Sequence, residues 1–179
     1  MKSTINQIDI FTRSTVKIII TAGLIGGILS VIACNNNKKQ EKMATENSTA
    51  LFPQGEKLTN GYFTGDAYLQ TLLARDKNND FVLGSVTFEP SARTNWHTHP
   101  KGQVLLVTEG EGLYQEKGKP AQLIRKGDVI NIPENTEHWH GATATTKMVH
   151  IAITNYEGET NATWLDPVND EEFKSANQH

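Results

Sequence analysis

From Leu51 onward the apolar residues fall in brief runs: Tyr62-Phe63, Tyr68–Leu73, Phe81–Phe88, Val104–Val107, Leu113-Tyr114, Leu123-Ile124, Val129–Ile132 and Met148–Ile153. Runs of this length and spacing predict short strands of an all-β sandwich or barrel. The segments between them, Asn78-Asn79, Gly110-Glu111-Gly112, Lys117–Pro120 and Lys126–Asp128, are rich in residues that tolerate positive φ or preset a bend, so each is expected to be a turn. Helical patterning is absent until the tail, where Pro167–Ala176 predicts one short helix capped by Asn169. Along the run that ends at Thr154, alternation places Met148, His150, Ala152 and Thr154 on one face and Val149, Ile151 and Ile153 on the other. The first face is small and polar enough to line a barrel.

The first fifty residues follow a different rule. Lys2, Arg13 and Lys17 precede an uncharged stretch at 18–33, IIITAGLIGGILSVIA, and Cys34 follows directly. This is the order of an export signal. Sixteen residues are too few to span a bilayer, which takes ~20. Val31-Ile32-Ala33-Cys34 resembles the lipobox of bacterial lipoproteins, which implies lipidation of Cys34 and a membrane-anchored product in the periplasm or at the cell surface. Residues 35–50 are polar and aperiodic, as a tether is. The expected organisation is a signal at 1–33, a tether at 34–54, a barrel domain at 55–158 and a tail with a short helix at 159–179.

Composition narrows the function. Of 179 residues, 37% are hydrophobic and 21% charged, which suits one globular domain. The net charge is -3; with Lys2, Arg13 and Lys17 against Asp9 in the first 33 residues, the remainder carries about -5, a poor surface for nucleic acid. Cys34 is the single cysteine, so neither an intrachain disulfide nor a cysteine-based zinc site is open to this chain.

Five of the six histidines, His97, His99, His138, His140 and His150, lie within one stretch, four of them as His-x-His pairs. On a strand, residues i and i+2 share a face, so His97 and His99 can reach one cation while Thr98 points away. Pro100-Lys101-Gly102 then turns the chain, and Gln103 opens the next apolar run with its amide facing back. His138 supplies a fourth arm from a later strand. Four ligands leave an octahedral cation open positions for substrate. Three imidazoles and an amide accept Mn, Fe, Co, Ni or Zn alike.

The order of these residues resembles the two motifs of the cupin superfamily. The first reads His97-Thr98-His99, Gln103 in place of the usual glutamate, and Gly110; the second reads Gly127, Pro133, Asn135 in place of glycine, His138, and Ala142 in place of asparagine. Asn135 tolerates the positive φ that glycine serves. The resemblance implies a double-stranded β-helix, or jelly-roll, barrel. Over about residues 55–175 the chain also resembles the small bacterial cupins that include manganese-dependent hydroxynitrile lyases, through Ser85–Gln103, Glu137–Ala142, Lys147–Ile153 and Trp164. That group implies Mn(II) held by three histidines and a glutamine, with His150 as the base that takes a cyanohydrin proton before C–C cleavage releases cyanide and an aldehyde. It also implies Gly84, Val86 and Thr154 as cavity residues touching substrate; His140, on the same face as His138, is placed to orient the substrate or to support a ligand. The chain departs from the lyases at Thr154, where they carry glutamine.

Packing accounts for some of these residues equally well: one hydrogen-bond partner explains a buried His150 or His140, and Trp96 and Trp139, on the opposite face from the ligands, are expected in the core. The functions to be separated are a metal-dependent lyase acting on a small molecule, a cupin dioxygenase, and a non-enzymatic binding or sensor module. The resemblance further implies a homo-oligomer, with membrane contact only through the lipid.

Overall fold

The computed structural model describes residues 50–178. The expected signal, Cys34 and the tether as far as Thr49 lie outside the described residues. Among the described residues, the strands are β1 (Glu56–Lys57), β2 (Phe63–Thr64), β3 (Ala67–Leu73), β4 (Phe81–Phe88), β5 (Arg93–Thr94), β6 (His97–Thr98), β7 (Gln103–Glu116), β8 (Gln122–Arg125), β9 (Val129–Ile132), β10 (His138–Ala142), β11 (Met148–Asn155) and β12 (Thr163–Trp164), followed by helix α1 (Asp170–Ala176).

The pairings are antiparallel throughout and form two sheets of a jelly-roll barrel. One runs β1-β3-β4-β11-β7-β9; the other runs β2-β5-β10-β7-β8, with β6 against β10 and β12 against β6. Strand β7 belongs to both: Gln103–Leu106 pair with β9, and Glu111–Tyr114 pair with β8.

The continuity of β7 corrects the turn expected at Gly110-Glu111-Gly112. The chain bends there without reversing. Gly110 has φ +68°, and a Cβ at that position would run into the Lys147 carbonyl; one at Gly112 would run into the carbonyl of Gly141. Opposite, the β11 register jumps from Val149↔Glu109 to His150↔Val107, so Thr108 is left over as a bulge. The glycines therefore mark a bulged, crowded crossing from one sheet to the other.

Two apolar clusters fill the fold. Phe88, Leu105, Tyr114, Ile132 and Met148 pack inside the barrel, while Trp96, Leu113 and Trp139 pack outside it against Val168, Phe173 and Ala176. Both tryptophans are thus core residues, as expected. Asn169 caps α1 as anticipated, with Glu172 completing a capping box, at 2.8 Å and 3.0 Å. Buried Arg93 locks the helix to β5 by donating to the Val168 carbonyl (3.0 and 3.2 Å) and to Asp170 (2.8 Å).

Candidate metal centre and cavity

Short local devices bring the histidines together. His97 on β6 lies directly opposite His138 on β10, their rings 4.2 Å apart. Gly102, at φ +68°, turns the chain so tightly that a Cβ would sit 2.6 Å from the Ile132 carbonyl, and Gln103 follows as the first residue of β7. Asn135 takes φ 57°, and its N–H donates to the His99 carbonyl at 2.8 Å. The turn of the second motif is thereby fastened to a histidine of the first.

Three imidazoles have one nitrogen tied to a backbone carbonyl: His97 Nδ1 to Asn95 (3.0 Å), His99 Nδ1 to Asn161 (2.6 Å) and His138 Nδ1 to Thr136 (2.8 Å). A carbonyl only accepts, so each Nδ1 carries the proton and each Nε2 keeps its lone pair. Among the described residues, Nε2 of His99 and of His138 is buried without a partner, and so is Oε1 of Gln103, whose Nε2 donates to Thr154 Oγ1 at 2.9 Å. An orphaned buried acceptor costs roughly 1–3 kcal/mol. Several such acceptors, on residues spaced as metal ligands are, fit a divalent cation.

Burial holds all five imidazoles below their ordinary pKa. It pushes His138 and His150 down to about 4, and lowers His97, His99 and His140, with neighbouring imidazoles adding to the effect at His97 and His140. They are neutral at pH 7, the state that can ligate.

A second grouping overlaps the first, since ring nitrogens of His97, His138 and His140 lie within 4.8 Å of one another. His140, however, has no partner on either nitrogen among the described residues, and it stands edge-on to His150 at 4.9 Å. Nothing fixes its tautomer. We therefore take His97, His99, Gln103 and His138, whose far atoms are all anchored, as the built donor set.

Three of these donors, His97, His99 and Gln103, line a cavity of about 190 Å³. Gly84, Val86, His150 and Thr154 line it, with Ala152 on the same face of β11, and His150 pairs across to Val86. Drug-sized pockets run ~300–1,000 Å³, so this one takes a small molecule. Phe63, Leu69 and Phe88 complete an apolar wall. The tail supplies residues that sequence reasoning did not place in the site: the Asn161 carbonyl on His99, and Trp164, which stacks on His97. Trp164 carried a signal in the family resemblance, whereas a backbone carbonyl carries none.

Comparison with known proteins places this geometry. Residues 84–154 match the cupin domain family. The chain is 41% identical to (R)-mandelonitrile lyase of Granulicella tundricola over 113 residues, 63% of this chain and 86% of that protein. A solved cupin-like protein from Thermotoga maritima is 44% identical, with a TM-score of 0.69 over 72% of this chain and 98% of its own. A protein described as a predicted oxalate decarboxylase, also from Thermotoga maritima, shares 21% identity and the fold, with a TM-score of 0.50 over 62% of this chain and 91% of its own. With both motifs, the barrel and these relatives in agreement, the chain belongs to the cupin family.

Proposed function

We propose that this cupin is a metal-dependent lyase that cleaves small α-hydroxy nitriles or closely related carbonyl adducts. The observation that carries the reading is His150: fully buried, unpartnered at both ring nitrogens among the described residues, and set in the wall of the cavity that His97, His99 and Gln103 also line. The likeness to (R)-mandelonitrile lyase supports the choice of substrate class.

A divalent cation, with Mn(II) the favoured ion, supplies Lewis-acid stabilisation of negative charge on substrate oxygen. His97, His99, Gln103 and His138 would hold it as four neutral ligands and so leave its charge undiminished, where glutamate in place of Gln103 would offset it. His150, neutral far below pH 7, accepts the hydroxyl proton. The O–H electron pair becomes the carbonyl π bond, the C–C pair leaves with cyanide, and the imidazolium returns the proton, giving HCN and an aldehyde. His140, beside His150, orients the substrate; Gly84 and Val86 leave it room; and the apolar wall excludes water.

Protein loaded with Mn(II) should release cyanide and benzaldehyde from mandelonitrile without consuming oxygen. His150→Ala should keep the metal and lose ~10²–10⁴ of the rate. Oxygen uptake without cyanide release would instead indicate a dioxygenase, and ligand-dependent stabilisation without turnover a binding module. The same reading has the chain exported by residues 1–33 and anchored through Cys34; metabolic labelling with palmitate, lost in Cys34→Ser, tests it.

A further inference from the structure

Gln103 and Thr154 face each other across the β7–β11 pairing, both buried, and the Gln103 amide nitrogen donates to the Thr154 hydroxyl at 2.9 Å. The amide has two faces that differ only by a half-turn about its last torsion. One presents a lone-pair oxygen; the other presents an NH₂ group, which has nothing to offer a cation. The observed orientation leaves Oε1 free and buried, so what holds the NH₂ decides what the centre receives. We propose that Thr154 is a positioning residue for the metal centre, its hydroxyl accepting from Gln103 Nε2 and so keeping the amide oxygen turned toward the cation. This rests on the reading of Gln103 as a ligand.

The backbone suits the role. A β-branched side chain has few χ1 choices, so the hydroxyl is held in place by its own strand. The hydroxyl can also reverse: facing a carboxylate it donates instead of accepting. A glutamate at 103 has two equivalent oxygens and no wrong face, so it has no need of Thr154 for orientation.

Binding of Mn(II) alone, read by competition with a fluorescent chelator, tests this without any substrate. Gln103→Ala should bind more weakly than wild type, and Thr154→Val, nearly isosteric, should lose about 10–100-fold in affinity, as loss of an outer partner typically does. Thr154→Ser should recover most of that loss. In a Gln103→Glu background, Thr154→Val should change affinity by less than about threefold, far below the effect of an outer partner; a merely structural defect would persist there. Wild-type affinity in Thr154→Val, with Gln103→Ala weakened, would overturn the positioning role alone. Unchanged binding in Gln103→Ala would overturn the ligand reading and the role with it. If Thr154→Val does not fold, Thr154→Ala is read in the same way.

Discussion

Trp164 lies on the imidazole of His97, with ring centroids 4.7 Å apart and planes 26° from parallel, and Tyr62 stacks on the same indole at 4.7 Å. The pairing Trp164↔His97 between β12 and β6 puts the indole there. A segment beyond the barrel strands thus supports the ring of one candidate donor while its Asn161 carbonyl orients another. Trp164→Ala should weaken metal binding about tenfold, at the lower end for an outer partner, and widen the cavity. Chelator competition and activity toward bulkier substrates check the two effects separately.

Acid should unfold the apoprotein early. His138 and His150 titrate near 4 in the fold and near 6.5 when unfolded. The unfolded chain therefore binds more protons between those values. Stability that is full above pH 6.5 drains as the pH falls toward 4, at about 1.4 kcal/mol per pH unit for each imidazole. Urea unfolding of chelator-treated protein at pH 7 and pH 5 should show the loss, and His150→Gln should reduce its slope by roughly one imidazole's share.

Cavity width should respond to Gly84. A Cβ there would stand 2.7 Å from Leu69 Cδ1, the movable end of a side chain that shares the cavity wall. In Gly84→Ala, Leu69 must shift. The expected outcome is a destabilisation of about 1–3 kcal/mol, the usual cost of added volume at a packed position, together with a higher KM for aromatic than for short aliphatic substrates. Steady-state kinetics on both substrate classes would show it.

Much of this site was legible in the chain because its rules are local. His97, His99 and Gln103 follow from the spacing of two residues on a strand and a tight turn, and the lining face of β11 from alternation. Other parts obey no such rule. Strands β1, β2, β5, β6 and β12 have two residues each, too few for a period to appear, and β10 is buried at every position, so it never alternates. Gly110 and Gly112 resemble a turn in composition, and only the neighbouring carbonyls reveal that they serve a crossing of backbones. Trp164 reaches His97 through pairing distant in sequence, which no window along the chain detects.

Asn135 offers a test of how the two motifs hold each other. Its positive φ is unfavourable for most L residues, and asparagine bears it better than alanine does. Its N–H meets the His99 carbonyl, so relaxing the backbone there would pull on His99, the residue that follows β6. Asn135→Gly should be nearly neutral in stability, since glycine adopts this conformation freely. Asn135→Ala should cost about 1–2 kcal/mol, the penalty of a left-handed conformation, and should also weaken metal binding through displacement of His99. Thermal unfolding with and without Mn(II) separates the contributions: a strain confined to the turn lowers both midpoints equally, whereas a displaced His99 also shrinks the shift that the metal produces.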